Sequence, residues 1–463
     1  MRIVVVGCGP KALAIYAKAK ELQQAGFKVP EVCIIEKSEV AANWCGGSHG
    51  FTDGAQALGT PPEKDIGFPY DSEYKCWEVP QKQVVDQFLF RYSWPSFKIA
   101  RRNYADWLDR SRPAPRHSDW ADYLKWVAQE LQLEFESDLN RDLRRGIIKT
   151  VRKDRGQWIV NYAADDTAGS PREQLVCDAI VFTGPGEPKR IKNQATHDMI
   201  LDGESFWTSK NLDHIRYRYR DKEKKIAVIG AGETAASITS ALWKMTDSEK
   251  WTINIISRRG TLYTRGEGYH ENRHFSNPKD WCDLHVSLRE ELIERTDRGV
   301  LSRKAIELIT EAKNVHFLQG EVTRISSTGE KARVTIKRFT EDENGTGKEE
   351  TEDYDCVIVA LGFDPFSFCS CFDGPDLGPV YCNAATERRK KDFYANCTKA
   401  IAKDLSVMNL EPKLYLPMLA GLMQGPGFPN LSCLGSLSDR ILKHSIQILN
   451  PNLVPGDDSC SSD

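Results

Sequence analysis

Residues 3–12 read IVVVGCGPKA, an apolar run that breaks at a glycine and continues into an Ala- and Lys-rich stretch as far as Gln24. The pattern predicts a short buried strand, a tight turn and a helix. A second apolar run, residues 32–35, ends in Glu36 and completes a β-α-β unit with an acid at the tip of its second strand. The chain is therefore expected to contain an α/β domain that binds a dinucleotide.

The residues of this G-x-G-x-x-A turn have separate physical roles. Gly7 permits the tight turn, and Gly9 lets the backbone approach a pyrophosphate. The small Ala12 lets the helix pack closely on the strand, while the helix N-terminus offers free N–H groups to the phosphates. Glu36 can accept two hydrogen bonds from a ribose diol.

The same pattern returns at residues 226–235, which read IAVIGAGETA and precede a predicted helix to about Met245 and a strand at 253–256. Here no acid follows, and the strand ends in SRR at residues 257–259. A hydroxyl and two guanidinium groups suit a 2′-phosphate, which a carboxylate would repel. The second turn is thus expected to prefer NADPH. The alternative is that the two arginines form a solvated charge pair at the strand end.

Two further segments resemble each other and suggest a nested layout. Residues 178–184 (DAIVFTG) and 355–362 (DCVIVALG) each run from an acid through a buried strand to a glycine, and we expect them to carry the chain out of and back into the first domain. The fold class is predicted as α/β, with two Rossmann-like domains and a small substrate-binding region. The predicted parts are a first part of the first dinucleotide-binding domain (1–210), an inserted NADPH-binding domain (211–353), the return to the first domain with the substrate-binding segment (354–450) and a disordered tail (451–463).

Composition excludes several classes of partner. The chain has 463 residues, with 63 Lys and Arg against 66 Asp and Glu, so it carries no excess of basic residues for nucleic acid. No apolar run approaches the roughly 18 residues of a membrane span, and we expect a cytosolic protein with no membrane partner. The closest cysteine pair, Cys369 and Cys371, lacks a second pair, so no metal site is predicted.

Two dinucleotide folds, one suited to a diol and one to a 2′-phosphate, indicate electron transfer from NADPH to a bound flavin, with FAD as the first ligand. A disulfide reductase would need a redox cysteine pair near the first helix or in the second domain, and neither place has C-x-x-C. Dioxygen is therefore the expected acceptor. An NADPH-dependent flavin disulfide or carrier reductase and a non-catalytic flavoprotein remain as alternatives.

A long Gly- and Pro-rich loop follows Trp44, and loops of this length usually have a function. Its motifs and those further along the chain are TDG at 52–54 with Gln56, PEKD at 62–65, YLKW at 123–126, GEGY at 266–269 with Glu271, Asn272 and Phe275, TDRG at 296–299, GPGFPN at 425–430 and LSD at 437–439. In these motifs the chain resembles the microbial N-hydroxylating flavin monooxygenases, which oxidise the side-chain amine of lysine or ornithine in siderophore biosynthesis. The likeness is greatest to the mycobactin-type lysine branch.

The resemblance implies roles for particular residues. Gln56 would lie near the isoalloxazine, and Lys64 would meet the substrate carboxylate. Asn272 is similar to the asparagine that contacts the amino-acid end of the substrate, and Leu437 and Ser438 resemble a pair close to flavin and substrate. The resemblance also implies N-hydroxylation through a C4a-hydroperoxyflavin, retained NADP and a homo-oligomer.

Each of these residues has a structural alternative. Lys64 could be a surface lysine paired with Asp65, Asn272 a turn residue and Ser438 a helix N-cap. Asp297 stands where the ornithine branch has asparagine, which favours L-lysine over L-ornithine or another primary amine as substrate.

The full set of candidates combines both lines of reasoning. The cofactor-binding candidates are Gly7, Gly9, Pro10, Lys11, Ala12, Glu36, Trp44, Gln56, Gly230, Gly232, Glu233, Thr234, Ser257, Arg258, Arg259, Gly362, Leu437 and Ser438, and the substrate-binding candidates are Lys64, Asn272 and Ser438. No side chain is assigned as catalytic, because the flavin performs the chemistry.

Overall fold

A computed structural model describes residues 1–47, 50–70, 79–135, 142–167, 169–219, 222–245, 250–339, 347–372, 377 and 396–451, with the backbone alone for 79–84. The predicted disordered tail lies outside these ranges from residue 452 onward. In the described part of the chain, no helix is both long enough and apolar enough to cross a membrane.

The described helices and strands are numbered in chain order. The helices are α1 (Pro10–Gln24), α2 (Ala42–Cys45), α3 (Val79–Arg91), α4 (Trp94–Ala100), α5 (Tyr104–Asp109), α6 (His117–Glu130), α7 (Ser209–Arg218), α8 (Glu233–Met245), α9 (Tyr269–Ser276), α10 (Val286–Thr296), α11 (Arg303–Glu311), α12 (Gly421–Gln424) and α13 (Leu434–Leu449). The strands are β1 (Arg2–Val6), β2 (Glu31–Glu36), β3 (Leu143–Arg145), β4 (Ile147–Asp154), β5 (Gln157–Ala163), β6 (Arg172–Cys177), β7 (Ala179–Phe182), β8 (Glu187–Pro188), β9 (Ile200–Asp202), β10 (Lys224–Ile229), β11 (Trp251–Ser257), β12 (Tyr263–Thr264), β13 (Val300–Leu301), β14 (Val315–Gln319), β15 (Glu321–Ser327), β16 (Ala332–Lys337), β17 (Glu349–Tyr354), β18 (Cys356–Val359), β19 (Phe363–Asp364) and β20 (Lys413–Tyr415).

Two parallel sheets form the framework, and the predicted α/β class with two Rossmann-like units is confirmed. The first sheet has the order β20-β7-β1-β2-β3 and the second the order β14-β11-β10-β18-β9. Strands β1, β7 and β18 are apolar along nearly their whole length, and β10 is apolar from Ile226 onward, as expected for a parallel sheet that is covered on both faces. Among the described residues, the chain leaves the first sheet after β7 and returns to it at β20, so the second unit is nested in the first.

Strand pairing corrects both predicted boundaries of the inserted unit. Strand β18 pairs in parallel with β10 and β9, whereas the sequence pattern had assigned residues 355–362 to the first domain. Strand β9, placed before the predicted boundary at 210, also belongs to the second sheet. We therefore propose that the inserted unit runs from the linker after β8 to the end of β18.

A buried ion pair fixes α13 against the first dinucleotide helix. Lys18 Nζ on α1 lies 2.9 Å from Asp439 Oδ1 on α13, and the two side chains are only 3% and 1% exposed. Because a buried charge is costly unless it is paired, this contact explains the aspartate of the LSD motif. It also sets where the C-terminal segment meets the first glycine turn.

Candidate functional site

A cavity of about 660 Å³ opens at the carboxyl ends of β1, β2 and β7. In an open α/β sheet this edge, where neighbouring connections leave in opposite directions, is the usual place for a ligand. Gly7, Gly9, Pro10, Lys11, Glu36 and Trp44 line it, as do parts of the segments 363–371 and 416–431. Six of the predicted cofactor residues thus line the same cavity.

The first glycine turn has the geometry that its sequence predicts. Gly7 adopts φ +93°, which favours glycine, and its N–H donates to the carbonyl of Ile35 at 2.8 Å. Gly9 begins α1 without a side-chain cap, and a Cβ placed on it would meet no atom within 4 Å. Ala12 is fully buried behind the turn. The N-terminus of α1 therefore presents unpaired N–H groups to open space, a favourable place for phosphate.

Glu36 is buried at the tip of β2 and both of its carboxylate oxygens are engaged. Oε2 accepts from the N–H of Cys8 at 2.7 Å, and Oε1 accepts from the N–H and hydroxyl of Ser38 at 2.9 and 3.1 Å. Because a carboxylate has about four acceptor positions, Glu36 can brace the turn and still accept from a ligand hydroxyl.

Lys11 has a structural role that the sequence did not predict. Its buried ammonium donates to the carbonyl of Pro429 at 2.7 Å and lies 3.2 Å from the sulfur of Met418. Burial lowers the pKa of Lys11 to about 8. The side chain therefore ties the start of α1 to the GPGFPN segment, which also lines the cavity.

Aromatic side chains from α2, from the loop that follows it and from β19 also line the cavity. Trp44 makes edge contacts with Phe51 and His117 at centroid distances of 5.1 and 4.9 Å, and Phe51 contacts Phe363 at 6.2 Å. His117 lies 2.9 Å from the hydroxyl of Thr52 through Nδ1, and burial lowers its pKa to about 4. Sequence reasoning missed Phe51, Phe363 and His117, because no local pattern indicates that these rings meet.

Gln56 does not line the cavity. Its side-chain amide donates to the Asp53 carboxylate at 3.3 Å, and its backbone carbonyl accepts from the backbone N–H of His117 at 2.8 Å. Gly362 has φ +76° and its carbonyl accepts from the N–H of Lys189, while the next residue, Phe363, reaches the cavity.

The second glycine turn is closely packed. Gly230 has φ +137°, and a Cβ there would lie 2.3 Å from the carbonyl oxygen of Ala360. A Cβ on Gly232 would approach Gly299 of the TDRG motif at 3.9 Å. Glu233 begins α8 and accepts a hydrogen bond from the N–H of Ser302. Thr234 follows Glu233 on the first turn of α8.

Residues 257–259 at the end of β11 were predicted to bind a 2′-phosphate. Ser257 and Arg259 are engaged within the protein, whereas Arg258 is exposed. Ser257 accepts from the N–H of Arg259 at 3.2 Å, and Arg259 donates to the carbonyl of Arg298 at 3.0 Å. Its guanidinium also lies over the ring of Tyr263. Arg258 is exposed and forms no ion pair with the residues that the structure describes. Arg258 is therefore the guanidinium left available to an external anion.

The substrate-binding candidates are not joined to one another by hydrogen bonds. Lys64 is half-buried with its ammonium 5.7 Å from the centre of the Phe68 ring, and Asn272 is exposed, donating to the carbonyl of Glu267 at 2.8 Å. Leu437 and Ser438 are fully buried inside α13, where the Ser438 hydroxyl donates to the carbonyl of Gly435 at 2.8 Å. Ser438 is thus neither an N-cap nor part of the cavity wall.

Within the described ranges, His, Cys, Asp and Glu side chains form no group of three or more that could hold a metal ion.

Comparison with known proteins gives consistent matches. Residues 90–365 match the family model described as L-lysine 6-monooxygenase/L-ornithine 5-monooxygenase. The L-lysine N6-monooxygenase MbtG of Mycobacterium tuberculosis is 38% identical over 449 residues, which cover 95% of this chain and 94% of that protein. The L-ornithine N(5)-monooxygenase of Pseudomonas aeruginosa is 26% identical over 295 residues, 59% of this chain and 62% of its own.

Solved structures agree with these matches. The lysine monooxygenase NbtG of Nocardia farcinica is 36% identical, with a TM-score of 0.75 over 95% of this chain and 99% of that one. An ornithine N-hydroxylase of Kutzneria sp. 744, KtzI, shares the fold with a TM-score of 0.69 at 16% identity, over 96% and 98% of the two chains.

Proposed function

Since the chain belongs to the L-lysine 6-monooxygenase/L-ornithine 5-monooxygenase family, we propose that it hydroxylates the side-chain amine of L-lysine to N(6)-hydroxylysine for siderophore or related biosynthesis. The protein is an NADPH-dependent flavin monooxygenase, and its substrates are a small amino acid and dioxygen. The observation that carries the choice of lysine is the 38% identity to a lysine enzyme over 95% of the chain, against 26% over 59% for an ornithine enzyme. Ornithine or another primary amine is the nearest alternative.

The first glycine turn fits FAD. The uncapped N-terminus of α1 and the open space above Gly9 suit a pyrophosphate, and Glu36 has acceptor capacity left for a ribose. The second turn, with Arg258 exposed beside it, fits NADPH. When bound, the reduced flavin activates dioxygen for transfer to the amine, and NADPH supplies the electrons.

The protein itself must keep water out of the reaction space. Trp44, Phe51 and Phe363 supply an apolar wall, and the lowered pKa of His117 keeps that imidazole neutral at physiological pH. An apolar wall with a neutral base behind it offers few protons to a reactive oxygen species. We therefore assign these side chains to water exclusion.

The substrate amine must lose its proton before it can attack oxygen. Free lysine has a pKa near 10.4, so deprotonation at pH 7 costs about 4.6 kcal/mol. Burial near the cavity lowers the pKa of the protein's own Lys11 to about 8. The same desolvation would act on a bound amine and remove much of this cost.

The test is a panel of L-lysine, L-ornithine and cadaverine with the FAD-loaded protein, scored by hydroxylated product and not by NADPH loss. We expect L-lysine to give the highest kcat/KM. Hydroxylamine from ornithine alone would reassign the substrate, and no hydroxylamine from any amine would refute the proposal. A preparation that neither contains nor binds flavin would refute the flavoenzyme class as well.

A disulfide reductase is less consistent with the cavity. Cys371 lines the wall, but burial raises the pKa of its thiol, which disfavours the thiolate that disulfide exchange requires. The cytosolic location and the homo-oligomer stay predictions from the sequence.

A further inference from the structure

Two cationic side chains, Lys64 of the first unit and Arg265 of the inserted unit, lie close enough for the charge of Arg265 to act on Lys64. Lys64 belongs to the PEKD loop of the first unit, and its ammonium contacts the Phe68 ring. Arg265 belongs to the inserted unit, directly after β12, and its Nε donates to the carbonyl of Thr296 at 3.0 Å. In the described part of the chain, neither forms an ion pair with a carboxylate within 4.0 Å. The terminal nitrogens of Arg265 thus remain available to a ligand.

Arg265 reaches the loop that carries Lys64. A Cβ placed on Gly59, five residues before Lys64, would lie 3.9 Å from Nη1 of Arg265. Burial lowers the pKa of Lys64, and the nearby charge of Arg265 lowers it further. Two cations in a partly desolvated space repel each other, and an anion between them would relieve that repulsion.

Two acids near Arg265, Asp297 and Glu233, have other partners. Asp297, which follows Thr296, pairs with Arg298 at 3.3 Å. Glu233 is influenced by the charge of Arg265, but its carboxylate accepts from the N–H of Ser302 and burial raises its pKa. Backbone hydrogen bonds hold Arg265 in place, because its own N–H donates to the carbonyl of Leu301 at 2.7 Å. The guanidinium is therefore positioned without having its charge neutralised by an ion pair.

We infer that Arg265 is a second ligand of the substrate α-carboxylate, opposite Lys64, and that it determines the preference for an amino acid over a diamine. A guanidinium suits this role because its planar donors match both oxygens of a carboxylate. The inference rests on the proposed function and deepens it: the amino acid is held from both units, by Lys64 of the first and Arg265 of the inserted one.

The test compares L-lysine with cadaverine, which is lysine without its carboxylate, in the wild type, R265Q, R265K and the control R333Q. Arg333 is an exposed residue of the same inserted unit that pairs with Asp353 at 2.7 Å. R265Q is expected to lower kcat/KM for L-lysine by about tenfold or more while changing that for cadaverine by less than about twofold. R265K should lose less, because it keeps a charge, and R333Q should match the wild type.

Equal losses on L-lysine and cadaverine, or a loss confined to the KM for NADPH, would overturn the inference. If R265Q fails to retain FAD, R265K carries the same test, since unequal losses on the two amines support the role and equal losses refute it. A wild type that hydroxylates neither amine would instead refute the proposed function.

Discussion

The carboxyl group of Asp65, beside Lys64, allows a prediction about pH and stability. Asp65 is fully buried, and it accepts hydrogen bonds from the Tyr70 hydroxyl at 2.6 Å and from the N–H groups of Trp94 and Gly67 at 2.8 and 3.2 Å. Burial raises its pKa from 3.8 to about 7, against the opposing effect of these hydrogen bonds. The loop that presents Lys64 is therefore anchored on a group that titrates near neutrality.

The sign and size of the effect follow from linkage. Between pH 3.8 and about 7 the unfolded chain has released this proton while the folded protein retains it, so the free energy of unfolding falls as pH rises. The free energy of unfolding falls by about 1.36 kcal/mol for each pH unit in this range. Between pH 5 and pH 8 it falls by about 2.5 kcal/mol, because the change levels off above the folded-state pKa. The amide introduced by D65N cannot ionise, but its NH₂ group faces a backbone or hydroxyl donor. This costs about 1–3 kcal/mol relative to the protonated Asp65 of the wild type, and the stability of D65N itself does not vary with pH through this group.

D65N should therefore be clearly less stable than the wild type at pH 5, and the gap should shrink by about 2.5 kcal/mol at pH 8. The measurement is urea denaturation of the FAD-loaded proteins, followed by tryptophan fluorescence at several pH values. D106N, which alters an exposed carboxylate paired with Arg110, serves as the control with a constant gap. A D65N gap that is constant or that widens with pH would refute the reasoning.

Three further predictions concern the contacts that position the site. D439N should lower the free energy of unfolding by about 3–5 kcal/mol, because it leaves Lys18 buried and unpaired. The double variant K18M/D439L should lose less, and equal losses for the two variants in a denaturation series would contradict the prediction. G230A places a Cβ against the Ala360 carbonyl, an overpacking that costs about 1–3 kcal/mol. It should raise the KM for NADPH by about tenfold and leave the FAD content unchanged, and an unaltered KM would contradict the prediction. K64A should raise the KM for L-lysine by about tenfold or more while NADPH oxidation continues as uncoupled peroxide release, and an unchanged KM would remove Lys64 from the site.

The success of sequence reasoning depended on how local each feature is. The turn at Gly7 and the acid at Glu36 were predictable, because a strand, a glycine turn and a helix are specified by adjacent residues. The segment 355–362 was assigned to the wrong sheet, because a buried strand that ends in glycine looks the same in either sheet. Its partner, β10, lies far away in the chain, and the pattern contains no information about that pairing.

The side-chain contacts of the site were the least predictable part. Lys11 belonged to the predicted phosphate turn, yet its ammonium binds the Pro429 carbonyl, more than four hundred residues along the chain. Arg265 directly precedes the GEGY motif, and only its approach to Gly59 of the other unit distinguishes it from a surface arginine. Such contacts depend on how residues that are distant in the chain come together, within the first unit for Lys11 and between the two units for Arg265.

The sequence by itself determined that this protein has two dinucleotide-binding units, that one is nested in the other and that the two units carry different residues at the end of their second strands. These properties are local. The backbone φ at a glycine turn, the start of the helix that follows it and the charge at the end of the next strand each depend on a few adjacent residues. Only the tertiary structure decided which strands pair, which candidates line the cavity and which cationic side chains of the two units lie near each other. Those outcomes depend on packing between residues that are distant in the chain, and packing selects among partners that the local sequence leaves equivalent.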